Sequence, residues 1–159
     1  MLNKKEGALV KFSLHYLMVY KKVKLLDIAS IERASNKEYS PGVTVVQVSA
    51  TSGQVEYVDE ARMIESKYVV LKPYDKIESK YFYFSVKNSA DEFFYKFKAG
   101  LNVQIEDFKH MELYIEDDID IQKEQVRNME KIKHATLLSE QEINEVKEFK
   151  NTMLSKMFL

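Results

Sequence analysis

Cysteine is absent from the 159-residue chain. That removes disulfides, a thiolate nucleophile and cysteine-based zinc sites. There are only 2 Pro and 4 Gly, which excludes collagen-like and low-complexity classes. Gly7, Gly42, Gly53 and Gly100 stand far apart, so no glycine-rich loop can cradle a phosphate. Long apolar runs are missing too. A secretory signal needs about 7–15 uninterrupted apolar residues and a spanning helix about 20. Lys11, Ser13 and His15 break the stretch that follows Gly7, and the expectation is a cytoplasmic protein. Neither sign of charge dominates: 24 Lys and Arg against 25 Asp and Glu leave a net charge of −1. With no global basic field, nucleic acid is left out of the expected partners. No nucleophile elbow, P-loop or paired-histidine zinc motif is present, so no catalytic residue is assigned, no cofactor is called for and no enzyme is expected.

What is present reads as a globular chain, 45% hydrophobic and 31% charged. The charge is unevenly placed. Residues 1–100 carry 16 Lys and Arg against 12 Asp and Glu, and residues 101–159 carry 8 against 13. Two units with different surfaces are implied. The first 88 residues are rich in Val, Ile, Tyr, Phe and Thr in short runs closed by turn signals, as β-strands are. Ala8 to Tyr20 is the first such run. Lys21-Lys22-Val23-Lys24 lies between two expected strands. Ser40-Pro41-Gly42 is a turn, Val43 to Ala50 alternates cleanly, and Thr51-Ser52-Gly53-Gln54 turns it back into Val55 to Val58. Lys80 to Val86, with aromatics at alternate and adjacent positions, reads as a central strand.

The texture changes at Ser89. Ser89-x-x-Glu92 has the pattern of a capping box, and Phe93, Phe94, Phe97 and Leu101 follow at helical spacing. A helix from about Ala90 to Ala99 is expected, closed by Gly100. Residues 102–120, ending in Glu116-Asp117-Asp118, read as an acidic linker. Two helices should follow. One carries Val126, Met129 and Ile132. The other starts at a second capping box, Ser139-x-x-Glu142, and carries Ile143, Val146, Phe149, Met153 and Met157.

Strands followed by one amphipathic aromatic helix resemble the bacterial pleckstrin-homology-like (PH-like) domains. Leu26 to Glu32, Lys80 to Val86 and the helix from Ser89 to Gly100 carry that resemblance. It implies an α+β fold, a bent β-barrel over residues 7–101 capped by one helix. Residues 121–159, chiefly Leu137 to Ile143 with Phe149, Lys150 and Leu154, are similar to the C-terminal helical hairpin called SHOCT, which often follows PH-like domains. The pair implies a non-enzymatic binding and assembly module. Its PH-like part would contact a protein partner, and its tail would form a homo-oligomer through Ile143, Val146, Phe149, Met153 and Met157. The alternative is a membrane-surface adaptor holding anionic lipid through Lys21, Lys22 and Lys24, since several converging cations are what a phosphate group requires. His15, His110 and His134 are isolated, and the acidic run lacks the glycine of a calcium loop; no metal site is expected.

Overall fold

Val45 and Val46 sit at the centre of strand β4, Thr44–Gln47, and both are buried. A strand whose successive side chains are all buried must be covered on both faces. The computed structural model, which describes residues 20–48, 54–97 and 102–157, shows how. In chain order its elements are β1 (Lys21–Lys24), a single turn α1 (Leu25–Ile28), β2 (Ala29–Arg33), β3 (Lys37–Tyr39), β4, β5 (Val55–Tyr57), β6 (Arg62–Ile64) and β7 (Tyr68–Pro73). Then come helix α2 (Ser79–Phe97), a 3-10 helix (Ile105–His110), β8 (Glu112–Ile115) and helix α3 (Ile119–Met157).

The main sheet runs β2-β7-β4-β5 with every pairing antiparallel. Val45 pairs with Val70, and on that face they join Tyr39, Val43, Val58 and Ile64 in one buried cluster. Tyr39 and Ile64 come from the two-stranded ribbon β3–β6, which closes that side. Thr44 pairs with both Leu71 and Tyr57, and Val46 with Val69, on the opposite face, where α2 packs against β4, β5 and β7. A second ribbon pairs β1 with β8 and buries Leu113 and Ile115. At the turn before β4, Gly42 has a φ of 93°, the left-handed region that a Cβ makes costly. A Cβ there would stand 3.8 Å from Ser79 at the start of α2, so the backbone, not space, selects glycine.

The contacts divide the chain into residues 1–123 and 124–159. In the second unit every residue from 127 to 157 is exposed, and all of them lie on α3.

Several expectations are corrected here. The chain is mixed α and β, and among the described residues the strands form one open four-stranded sheet and two two-stranded ribbons in place of the expected PH-like barrel. Lys80 to Val86 is helix, not strand. Phe82, Val86, Ala90 and Phe93 recur at four, four and three residues, all buried, and this helical stripe overrides β propensity. Ser89 lies mid-helix and caps nothing. The true cap is Glu78, whose carboxylate accepts the Tyr81 N–H at 2.6 Å. Residues 102–120 are no linker, since they hold the 3-10 helix and β8, and Glu116 is buried. The helical hairpin is one continuous helix, because neither Gly nor Pro interrupts Ile119–Met157 and Ser139 is tolerated inside it. Lys21, Lys22 and Lys24 lie on a paired strand, not in a loop. Most of the run from Ala8 to Tyr20, most of the turn expected at Thr51-Ser52-Gly53-Gln54, Gly100 and Leu101 lie outside the described residues.

Candidate functional site

Among the described residues, carboxylates and aromatic rings both hold cations, and Lys37 and Lys67 meet one of each. Ion pairs among the described residues join Lys22 to Glu112, Lys37 to Glu32, Arg62 to Glu56, Lys67 to Glu65, Lys96 to Glu92 and Lys123 to Asp120. Exposed pairs of this kind add little stability, but each cancels a charge locally. Hydrogen bonding to Glu112, and then its charge, hold the Lys22 ammonium above its ordinary range. The same two effects from Lys96 hold Glu92 below its own.

The second way is aromatic. Tyr57 is on β5, the edge strand of the main sheet, and its hydroxyl meets that of Ser79 at 3.0 Å. Its ring lies 5.9 Å from the ring of Tyr83 on α2, which lies 5.0 Å from Phe84. Lys80 places its ammonium 5.9 Å from the Tyr57 ring centre. Lys87 stands 5.7 Å from the Tyr83 ring and donates to its hydroxyl at 3.3 Å. Among the described residues no carboxylate pairs with Lys87. From Ser79 to Ala90 the helix contains no acidic residue, and the Glu78 carboxylate just before it is engaged on the Tyr81 amide. Rings orient ammonium groups without neutralising them, so the Lys87 ammonium keeps its positive charge.

On the opposite face of β5, Glu56 accepts from Arg62 at 2.6 Å and from the Tyr68 hydroxyl at 3.3 Å. Burial first, and the Glu56 charge second, push the Tyr68 phenol above its ordinary range.

The lysines singled out for lipid do not converge. Lys22 is spent on Glu112. The shallow hollow lined by Lys21, Lys22 and Lys24 also contains Asp27, Glu112 and Asp117, and such mixed charge does not select an anion. His110 stacks flat on Phe97, 5.6 Å between ring centres, and His134 is an exposed residue of α3. His15 lies outside the described residues. Among those described, no group of three His, Asp or Glu could hold a metal ion, and no helix is long and apolar enough to cross a membrane. Ile143, Val146, Phe149, Met153 and Met157 are all exposed on α3, Val146 and Phe149 at 67%.

Residues 19–148, most of the chain, match the type I restriction modification DNA specificity domain. The chain belongs to that family. The domain is a specificity domain, not a catalytic one. Two solved structures share the fold. One is the type-I restriction-modification S subunit from M. genitalium, with TM-score 0.63 and 14% identity, covering 72% of this chain and 39% of that one. The other was solved for the structural basis of complex assembly and conformational transition of the type I R-M system. It has TM-score 0.60 and 15% identity, covering 83% of this chain and 45% of its own. This chain therefore spans less than half the length of the structures it matches. No curated protein is similar enough to count as a relative.

The PH-like and SHOCT resemblances are thereby overturned, as are the protein-binding adaptor, the lipid adaptor and the exclusion of nucleic acid. A near-zero net charge misled because it averages over the chain, whose residues 1–100 carry 16 Lys and Arg against 12 Asp and Glu. The Tyr57, Lys80, Tyr83 and Lys87 ladder was missed as well. The signal was in the sequence: Lys80, Tyr83, Phe84 and Lys87 follow at helical spacing, in an acid-free stretch. It was hidden once that stretch was read as a strand.

Proposed function

We propose that this domain recognises a short sequence in double-stranded DNA and supplies that specificity to a larger restriction-modification assembly. The observation that carries the reading is the match of residues 19–148 to the DNA specificity domain. The α/β unit of residues 1–123 is of a size to read one groove face. It offers edge strand β5, with oriented side chains on both faces, to a duplex. Helix α3 is the assembly element of the proposal. Its Ile143, Val146, Phe149, Met153 and Met157 form an apolar strip for a second helix, in keeping with a chain that spans 39% and 45% of the S-subunit structures it resembles.

The test is selection of bound duplexes from a random-sequence pool by the full chain. A single enriched motif is expected, and its affinity should drop on single base-pair changes by about 1–3 kcal/mol each. Recovery of duplexes with no common motif would overturn the reading.

A further inference from the structure

We infer that Arg33 and Asn36, both held on the backbone of Ser66, read a guanine edge in the major groove of duplex DNA. The inference rests on the DNA-recognition reading above and deepens it by naming the residues and the base.

Three observations carry it. The first is a pair of tethers. Arg33 is the last residue of β2, an edge strand of the main sheet, and Asn36 lies in the turn that leads to β3. The Arg33 Nε donates to the Ser66 carbonyl at 3.1 Å, and the Ser66 N–H donates to Asn36 Oδ1 at 3.0 Å. All three residues are exposed. Asn36 has a φ of 53° and is the one non-glycine residue with positive φ among those described. Asparagine is one of the few types that enters this left-handed region, and the bond to Ser66 holds it there. Two exposed polar side chains are thus fixed before any ligand arrives, which lowers the ordering cost of binding.

The second is what the tethers leave over. With Nε engaged, Arg33 keeps its two terminal amino groups; with Oδ1 engaged, Asn36 keeps its NH2 donors. Among the described residues no carboxylate pairs with Arg33. Glu32 beside it is paired with Lys37, and Glu65 beside Ser66 with Lys67. What remains on offer is chiefly N–H donors. Guanine shows two acceptors, N7 and O6, in the major groove, and a guanidinium fork matches them with two bonds. Adenine sets an acceptor beside a donor and can take only one of the two. The Glu32 and Glu65 carboxylates also favour a base over a phosphate, since they repel a phosphodiester and leave an uncharged base edge alone.

The third is placement. Arg33, Val69, Val46 and Val55 pair in one row across the main sheet. Three strand spacings make that row about 14 Å long, close to the roughly 12 Å width of the major groove. A duplex seated against β5 at this level also reaches Arg33.

The experiment selects bound duplexes from a random-sequence pool with the full chain and with Arg33→Gln, Asn36→Asp and a control, Lys76→Gln, which lies beyond the opposite end of β7. Circular dichroism and melting establish that each folds. Fluorescence anisotropy then compares the wild-type motif with duplexes in which its G·C pairs are changed in turn to A·T. Changing one such pair is expected to weaken wild-type binding about fivefold to 150-fold and to leave Arg33→Gln unaffected, while preference at the other positions is kept. Asn36→Asp keeps the acceptor for Ser66 and the turn but loses its donors, and should lose preference at the same pair or the one beside it. Lys76→Gln should select as the wild type does. An Arg33→Gln protein with the same preference at every position, whether or not it binds more weakly, overturns the inference and leaves DNA recognition in place; a uniform loss is the mark of a phosphate contact. Relaxation at a pair other than G·C overturns it too. Where Arg33→Gln does not fold, unchanged preference in Asn36→Asp does so. A wild type that selects no motif overturns DNA recognition and this inference together.

Discussion

The side-chain carbonyl of Gln122 accepts the backbone N–H of Glu78 at 2.8 Å, across 44 positions of sequence. Glu78 in turn caps α2 through the Tyr81 amide. In a capping box the third helical residue returns the favour to the cap; here that residue is Tyr81, and Gln122 does so from the first turns of α3. The Gln122 amide nitrogen donates to the Glu116 carbonyl at 2.6 Å, and the Glu116 N–H donates to the Tyr81 hydroxyl at 2.9 Å. Helix α2, strand β8 and the start of α3 are thus joined by one buried polar network.

Gln122→Ala should therefore destabilise the protein by about 2–3 kcal/mol, because it strands a part-buried N–H and a buried carbonyl together. Gln122→Glu keeps the acceptor but sets a buried carboxylate oxygen against the Glu116 carbonyl, and should cost at least as much at neutral pH. Urea unfolding followed by circular dichroism checks both. A loss below roughly 0.5 kcal/mol for the alanine variant would show that water serves both groups equally well.

Phe93 and Phe97 should separate sharply on substitution. Phe93 is buried among Phe94, Phe97 and Phe108, with ring centres 5.0–5.7 Å away. Phe93→Ala should cost about 3–5 kcal/mol. Phe97 is half-exposed and leans on His110, so Phe97→Ala should cost less than half as much. Equal losses would mean that the end of α2 is more deeply covered than the structure has it.

This pair also marks how far sequence reading reached. The Phe93, Phe94 and Phe97 stripe was legible because its spacing fits only a helix. The ten residues before Ser89 belong to the same helix, yet their aromatics satisfy both the strand and the helix period, and only the sheet beneath α2 settles the matter. β4 and β5 were legible from alternation and the turn between them. β1–β8 was not, since its partners lie 94 positions apart at Lys21 and Ile115; Met111, Leu113 and Ile115 alternate as a strand would, but the acidic run after them reads as a linker. Ser139-x-x-Glu142 misled as Ser89-x-x-Glu92 did: the motif starts a helix only where something stops the one before it, and no Gly or Pro stands between Ile119 and Met157.

Alkaline pH should weaken the fold through Tyr68. Its phenol titrates above the ordinary tyrosine range, chiefly through burial and secondarily through the Glu56 carboxylate, with Lys67 opposing. A pKa raised in the folded state contributes stability that is complete below the unfolded value, about 10. That contribution is lost as pH rises through the higher folded value. The urea midpoint of the wild type should fall between pH 9 and pH 11 by more than that of Tyr68→Phe. Parallel curves would show that Tyr68 ionises as freely in the folded state as in the unfolded one.

Helix α3 should be separable from the α/β unit. Met129, Ile132, Ile143, Val146, Met153 and Met157 fall in one three-four phase, with Thr136, Ser139 and Lys150 filling the intervening positions. That is the seam of a helix made to lie beside another. Every residue from 127 to 157 is exposed, and a lone helix in water is marginal even with good propensity. Val146→Asp with Phe149→Asp puts two carboxylates on or beside this seam, where a partner helix would have to desolvate them. By light scattering at high micromolar concentration, the wild type is expected to run heavier than its 18.7 kDa monomer and the double variant as the monomer. The melting of the α/β unit should be the same in both, because neither side chain contributes to its core. A wild type that stays monomeric would remove these residues from the assembly surface. A variant whose α/β unit melts early would show that the strip is covered within the chain itself.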